Sequence, residues 1–277
     1  MAVFLRRFRR HISGVIGFLL VLAICATAAA APFLLKAGKS QAVNLALSSQ
    51  LPSREFPLGT DQMGRDVLLR VVAGAPVSLM VAVVGVLLAL VPGVWLGLLA
   101  GYHQGRLGNL VMRGVDALVA FPRILLAIVI IAIAGPGLTQ LMIAIGLSSI
   151  PIFARVMYVT VLAIRERDYV QAAAALGATD RRILWRHIAP NAFAPILVQA
   201  SLNIATALQI AAGLSFLGLG PPPPSPEWGA MIDSGRTLIR QQPMVIIAPG
   251  LAIAVTVLGF NLLGDGLRDT LDPRLKR

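Results

Sequence analysis

The chain has 277 residues, of which 57% are hydrophobic and only 13% are charged, against roughly 25% charged in an ordinary soluble domain. So few charges cannot cover a soluble protein's surface, which excludes a soluble enzyme or binding domain. The net charge of +12 does not indicate nucleic-acid binding, because the basic residues lie in short segments between apolar runs and form no continuous face.

Four long stretches without Asp, Glu, Lys or Arg predict membrane spans, because a helix needs about 20 apolar residues to cross a bilayer. The stretches lie between Arg70 and Arg106, Arg123 and Arg155, His187 and Glu227, and Arg240 and Asp265. In chain order the predicted spans are 13–35, 75–100, 116–134, 138–163, 191–217 and 244–264. The fold class is therefore an all-α integral membrane protein with about six transmembrane helices.

The third and fourth predicted spans are separated by Gly135-Pro136-Gly137, a helix-breaking cluster. Hydropathy alone would allow one long span across this region. The cluster instead favours two helices joined by a tight turn at the membrane surface.

The first apolar stretch has two interpretations. Four arginines within residues 6–10 precede it and it ends in Ala28–Ala31, which is the pattern of a cleaved signal peptide. The uncharged run from Ile12 to Leu35 is longer than a usual signal core, which favours a retained span. Lys and Arg then number 15 in the inner segments and 7 in the outer ones, so both termini are predicted to be cytoplasmic.

Residues that could carry catalysis or bind a metal are scarce. The three histidines, His11, His103 and His187, do not have metal-ligand spacing, and no pair of carboxylates lies within a span. An intramembrane enzyme would need a nucleophile with a base, or a metal set. The sequence therefore predicts no catalytic residue, no metal site and no cofactor in this chain.

Polar residues within the spans are candidates for a translocation path. Arg155 lies about nine residues inside its span, and no acid is expected near it; a structural role is the alternative. Asn203, Thr206 and Gln209 recur every three residues, roughly on one helical face. Hydrogen bonding between helices is the alternative role for these three.

Three glycines in the second predicted span recur at four-residue spacing, at Gly93, Gly97 and Gly101. Small residues at this interval lie on one side of a helix and allow a neighbouring backbone to approach closely. They predict a helix-packing face.

The segment Arg165–Pro190 predicts a helix–glycine–helix hairpin on the cytoplasmic side. Good helix formers run from Glu166 to Leu176, and one stripe carries Tyr169, Ala172, Ala173 and Leu176. Gly177 suits the left-handed position that ends a helix. The second short helix is capped by Thr179 or Asp180, closed by Pro190, and apolar at Ile183, Leu184 and Ile188. A basic loop resting on anionic lipid is the alternative, but the shallow alanine face favours insertion into a protein groove.

This hairpin resembles the EAA loop of the permease subunits of ABC importers, through Gln171-Ala172-Ala173, Gly177 and Ile188-Ala189-Pro190. Other motifs resemble those of the second permease of the dipeptide/oligopeptide/nickel branch. They are Leu58–Asp66, Leu214–Gly220, Glu227-Trp228-Gly229, Phe260–Asp269 and Leu271–Arg274. The resemblance covers residues 55–274. Gln171 replaces the family glutamate of the loop, and Ala211 stands where many relatives carry an acid.

The resemblance implies a permease that forms half of a translocation pore for peptides in the bacterial inner membrane, with nickel or another small solute as the alternative cargo. It implies a homologous second permease, two cytoplasmic subunits that bind ATP and Mg, an extracytoplasmic substrate-binding protein and surrounding lipid. The residues implied to contact the ATPase are Tyr169, Gln171, Ala172, Ala173, Leu176, Gly177, Asp180, Ile188 and Pro190. A stand-alone transporter or channel, the rival class, would need an ion site or an inverted repeat, and neither is evident.

The same resemblance divides the chain into two parts. Residues 1–70 comprise an N-terminal tail, the first span and a periplasmic segment. Residues 71–277 form the importer's transmembrane domain of five helices, with a coupling loop at 165–190 and a periplasmic loop at 219–243.

Overall fold

A computed structural model describes residues 8, 9, 11–35 and 43–271, and this part of the chain is helical without a β-strand. The long helices are α1 (Ile12–Leu34), α2 (Val67–Tyr102), α5 (Leu138–Arg165), α8 (Ala189–Phe216) and α10 (Met244–Leu271). The shorter ones are α3 (Arg106–Val119), α4 (Arg123–Ala134), α6 (Asp168–Ala175), α7 (Asp180–Arg182) and α9 (Trp228–Gly235). A π-helical turn, Ile183–Ile188, joins α7 to α8.

Five helical segments are long and apolar enough to cross a membrane: Ile12–Phe33, Val67–Tyr102, Leu138–Arg165, Asp180–Phe216 and Met244–Leu271. Each contains or overlaps one of the predicted spans. The main buried core lies between α2, α5 and α8, whose apolar side chains interlock. These helices can cross the lipid because a helix satisfies its own backbone hydrogen bonds.

Helices α2 and α5 lie side by side and run in the same direction. A Cβ atom added at the three glycines would fall 2.7–2.8 Å from side-chain carbons of α5, in the pairs Gly93–Phe153, Gly97–Met157 and Gly101–Val161. Glycines and partners advance together, so the two helices are parallel and in register. Because glycine has no side chain, the backbones of α2 and α5 can approach this closely. The predicted packing role of the three glycines is confirmed.

The third predicted span, 116–134, is wrong as a single helix. The structure instead has α3 and α4, which meet at 83°. Pro122 lies at the break, where it lacks an N–H and disfavours helical geometry at the residue before it. Because α2 and α5 are parallel, α3 and α4 together must carry the chain back between them. The turn predicted at Gly135-Pro136-Gly137 follows α4, with Gly135 at a φ of +85°.

The hairpin between α5 and α8 begins as predicted but ends differently. Gly177 has a φ of +80° after α6, and the Thr179 side chain caps α7 by accepting a bond from the Arg182 N–H (3.4 Å). Pro190 does not close the second helix, because the chain stays helical from Asp180 to Phe216. A proline is tolerated in the first turn of an α-helix, and the change from π to α bonding at Ala189 creates such a turn.

The helices place the hairpin, α6 to the π turn, at one end of the molecule, which we call the hairpin end; we call the opposite end the loop end. Helix α1 runs antiparallel to α10, with Gly14 against Gly266 and Gly17 against Leu263. Helix α8 is joined to α10 by a bond from the Ser201 hydroxyl to the Phe260 carbonyl (3.0 Å). Both ends of the main described chain therefore lie at the hairpin end.

Candidate functional site

The hairpin packs on its own chain through one side and leaves the other side open. Val170 of α6 is buried, as are Ile183 and Ile188 of the π turn. The predicted stripe, in contrast, is largely exposed: Tyr169 is 40% exposed and Leu176 89% exposed. The Tyr169 ring lies 6.4 Å from the His187 ring, whereas most of the Leu176 side chain is not covered by any described residue. The predicted contact of this stripe with an ATPase stays a prediction.

Three side chains fasten the hairpin to the helix ends beside it, and we call Tyr102, Arg165 and Asp180 the hairpin clasp. The Tyr102 hydroxyl donates to the Asp180 carboxylate (2.7 Å). The Arg165 guanidinium donates to the Tyr102 carbonyl (2.8 Å) and lies 5.7 Å from the centre of its ring. The clasp thereby joins the ends of α2 and α5 to the start of α7. Asp180 was a predicted site residue; Tyr102 and Arg165 were not.

A cavity of about 230 Å³ opens beside the clasp, lined by residues that include Glu166, Gln171 and Ala174. The Gln171 amide donates to the Glu166 backbone carbonyl (3.3 Å) and so is held at the cavity wall. Glu166 also lines this cavity. The replacement of the family glutamate by Gln171 therefore leaves an acidic residue in the same cavity.

A second polar group lies in the middle of the membrane-spanning region, and we call Arg123, Ser149 and Asn203 the Arg123 cluster. The Arg123 Nη2 donates to the Ser149 hydroxyl (2.5 Å) and to the Asn203 side-chain oxygen (3.1 Å). Ser149 and Asn203 are buried, near the middle of α5 and α8. Asn203 was a predicted path residue, but Arg123 was not, because the sequence gives no sign that the break before it lies inside the protein.

The other predicted path residues have different surroundings. Thr206 and Gln209 are exposed, one and two turns of α8 from Asn203 towards the loop end. Arg155 forms an ion pair with Asp116 of α3 (2.6 Å), with both side chains about half exposed. The expectation that no acid lies near Arg155 is wrong, because α3 lies beside α5 and places Asp116 next to Arg155. Their role in translocation stays a prediction.

The Leu58–Asp66 motif forms a closed turn at the loop end. The Asp61 carboxylate accepts bonds from the backbone N–H groups of Met63 (2.8 Å) and Arg65 (3.0 Å). The same carboxylate pairs with the Arg65 side chain (2.7 Å) and the Arg70 side chain (3.5 Å). All three charged groups are buried. Removal of one partner from a buried ion pair is strongly destabilising, so these pairs fasten the turn to the start of α2.

The Glu227-Trp228-Gly229 motif starts α9. The Glu227 carboxylate accepts bonds from the N–H groups of Gly229 (2.9 Å) and Ala230 (2.8 Å), which caps the helix. Burial raises the pKa of Glu227, and these two bonds oppose that rise. The Trp228 indole donates to the Val71 carbonyl (2.9 Å). The motif thus holds α9 against α2 at the loop end.

Comparison with known proteins assigns the family. The family model described as "Binding-protein-dependent transport system inner membrane component" matches residues 93–277. The dipeptide transport system permease of Alkalihalophilus pseudofirmus is 42% identical over 98% of this chain and 89% of its own length. The glutathione transport system permease of Pectobacterium atrosepticum is 43% identical over 99% and 91%. The di/tripeptide permease of Pseudomonas aeruginosa is 47% identical over 80% and 73%.

Solved structures agree on the fold. The inward-facing MetNI methionine ABC transporter matches 74% of this chain and 96% of its own chain, with a TM-score of 0.60 at 20% identity. An amino acid ABC transporter crystallised with histidines matches 71% and 91%, with a TM-score of 0.55 at 18% identity. The chain therefore belongs to the family of binding-protein-dependent transport system inner membrane components and is a permease subunit of an ABC importer.

Proposed function

We propose that this chain forms one half of the translocation pore of a peptide importer. It pairs with a homologous second permease, two cytoplasmic subunits that hydrolyse ATP, and an extracytoplasmic binding protein that delivers the cargo. The relatives described above are named for dipeptides, di/tripeptides and glutathione, which supports peptides as the cargo class. None of these three names supports nickel, the alternative cargo.

The observation that carries the proposal is the exposed apolar stripe on a hairpin that is otherwise fastened to the transmembrane helices. Tyr169 and Leu176 are available to a partner, whereas the clasp and the π turn connect the hairpin to α2, α5 and α8. Closure of an ATPase dimer against the stripe would move the hairpin as a lever. The movement favours one of two pore conformations, because each nucleotide state prefers a different arrangement.

The proposal also sets the orientation. The hairpin end faces the cytoplasm, where ATP is found, and residues 11 and 271 lie at that end with both termini of the chain cytoplasmic. The excess of Lys and Arg in the same segments supports this orientation. The loop end, with residues 43–66 and 219–243, faces the binding protein.

Substitution of Ala173 or Gly177 by glutamate tests the coupling role. A charged side chain on the stripe blocks apolar docking, and at Gly177 it also strains a left-handed backbone by about 1–2 kcal/mol. We expect the reconstituted importer to lose peptide uptake and peptide-stimulated ATP hydrolysis while the chain still inserts into the membrane.

The matched control is Gln104→Glu, which adds the same charge at an exposed position of the hairpin end. This control variant retains uptake and stimulated hydrolysis. Normal uptake by both Ala173→Glu and Gly177→Glu contradicts the coupling role.

A further inference from the structure

The Arg123 cluster lies near the middle of the membrane-spanning helices. Arg123 is the first residue of α4, a helix about half as long as a membrane span. Helix α4 has 12 residues, about 18 Å, and runs from Arg123 towards the loop end. Ser149 and Asn203, which contact Arg123, lie near the middle of two helices that each cross the membrane. Arg123 therefore lies near the middle of the membrane-spanning helices.

No acidic side chain in the described part of the chain neutralises the charge of Arg123. The acids that form ion pairs in residues 11–35 and 43–271 are Asp61, Asp116, Asp233 and Asp269, and none of them pairs with Arg123. Its Nη2 contacts two neutral oxygens, and its Nε is buried without a hydrogen-bond partner. Arg155, two turns nearer the hairpin end, has Asp116 at 2.6 Å. Among the described residues, Arg155 thus has an acidic partner and Arg123 has none.

The surroundings of Arg123 add positive potential. The first N–H groups of α4 have no partners within the helix, and the helix dipole places a partial positive charge at the same point. Charged groups inside a membrane are costly and mark sites where ions or charged solutes are handled. A cation, a buried unpartnered donor and a helix N-terminus together select an anion.

Two exposed polar side chains of α8 lie on the loop-end side of this position. Thr206 and Gln209 lie exposed on α8 between the loop end and Asn203. A solute that moved along α8 from the loop end would pass these two polar side chains before it reached the Arg123 cluster. The Asp116–Arg155 pair follows about 9 Å further towards the hairpin end, as the six-residue step from Ser149 to Arg155 implies.

We propose that Arg123 binds the C-terminal carboxylate of the peptide as it crosses the membrane centre. The inference rests on the peptide-import function proposed above and adds the recognised group of the cargo and the residue that recognises it. Peptides of different sequence share few fixed features, and the C-terminal carboxylate is their one constant negative charge. A guanidinium suits a carboxylate because it stays charged and carries several N–H donors. At Arg123, Nη2 is bonded to Ser149 and Asn203 and Nε is buried, so Nη1 is the nitrogen that donates to the carboxylate.

The first test compares uptake of trialanine and trialanine amide by the complete importer in proteoliposomes. Arg123→Gln lowers uptake of trialanine by about tenfold or more, the loss expected for a hydrogen bond to a charged group, and leaves uptake of the amide within about twofold of wild type. Arg113→Gln, the same change at an exposed arginine of α3, leaves both cargoes within about twofold. An equal fall for both cargoes in Arg123→Gln, or no fall, overturns the proposal.

The second test does not depend on delivery of the amide by the binding protein. Arg123→Cys is made in a Cys25→Ser background, because Cys25 is the only cysteine of this chain, and in partners without cysteine. A thiol reagent that adds an ethylammonium group restores trialanine uptake, a neutral methyl reagent does not, and trialanine slows the labelling. Equal effects of the two reagents, or no labelling with or without ATP, overturn the proposal. A wild-type complex that takes up no peptide refutes the proposed function instead.

Discussion

Single residues determine how closely the two central helices approach. Gly97 faces Ala154 and Met157 of α5, and a Cβ atom there would overlap the Ala154 carbonyl oxygen. Backbone atoms cannot move aside as a flexible side chain can, so any added atom must separate the helices. The same glycine spacing could be read from the sequence because it repeats every four residues on one helix face.

Gly97→Ala tests this contact. Overpacking of a tight site costs about 1–3 kcal/mol, which outweighs the gain of about 0.5–1 kcal/mol from the better helix propensity of alanine. We expect the purified importer to melt several degrees lower, as measured by scanning fluorimetry. Gly213→Ala is the control, because no atom lies within 4 Å of the position its Cβ would take. Equal melting temperatures for the two variants would contradict the packing role.

At the scale of helices, the sequence predicts what local patterns determine. Apolar runs located five spanning helices, and Gly177 marked the end of α6, because hydropathy and left-handed geometry depend on neighbouring residues. The bend between α3 and α4 was missed, because Arg123 at its far side contacts Asn203, which lies 80 residues away in the chain. Asp116 and Arg155 are 39 residues apart, and neither partner can be inferred without the fold.

In the proposed lever, the hairpin clasp is the contact through which a movement of the hairpin reaches α2. Tyr102→Phe removes only the hydroxyl that donates to Asp180 (2.7 Å). A hydrogen bond to a charged group contributes about 1.5–3 kcal/mol when buried and less at an exposed site. We expect peptide-stimulated ATP hydrolysis and uptake to fall about two- to tenfold, with assembly of the complex unchanged.

The control for this variant is Tyr158→Phe, which removes the hydroxyl of a tyrosine on α5 that lies outside the clasp. Its stimulated hydrolysis stays at the wild-type level. If Tyr158→Phe reduces stimulated hydrolysis as much as Tyr102→Phe does, the clasp has no special part in transmission.

At the scale of the whole molecule, the loop end is assembled from segments far apart in the chain. The Gln62 amide bonds to the Thr237 hydroxyl and to the Ser234 carbonyl (3.2 Å). The Gln242 amide donates to the carbonyls of Gln50 (2.8 Å) and Leu58 (3.2 Å). Residues 43–66 precede the part of the chain that the family model matches, yet they are held by the segment just before α10. The loop end is therefore one unit, which closes over the start of α2.

Gln242→Ala removes the hydrogen bonds that join residues 43–66 to the segment before α10. The change leaves the Leu58 carbonyl without its donor, which costs about 1–3 kcal/mol, whereas the Gln50 carbonyl still accepts a bond from the Thr60 N–H (3.0 Å). It also removes the buried Gln242 Oε1, which has no hydrogen-bond partner. The second effect offsets part of the first, so the expected loss is about 1 kcal/mol, confined to residues 43–66. Trypsin should then cut after the exposed Arg54 about fivefold faster, since 1.4 kcal/mol is a factor of ten in the open population.

The control is Gln241→Ala, at the exposed residue next to Gln242, which should leave the cutting rate unchanged. Equal rates for the two variants would show that Gln242 does not hold the segments together.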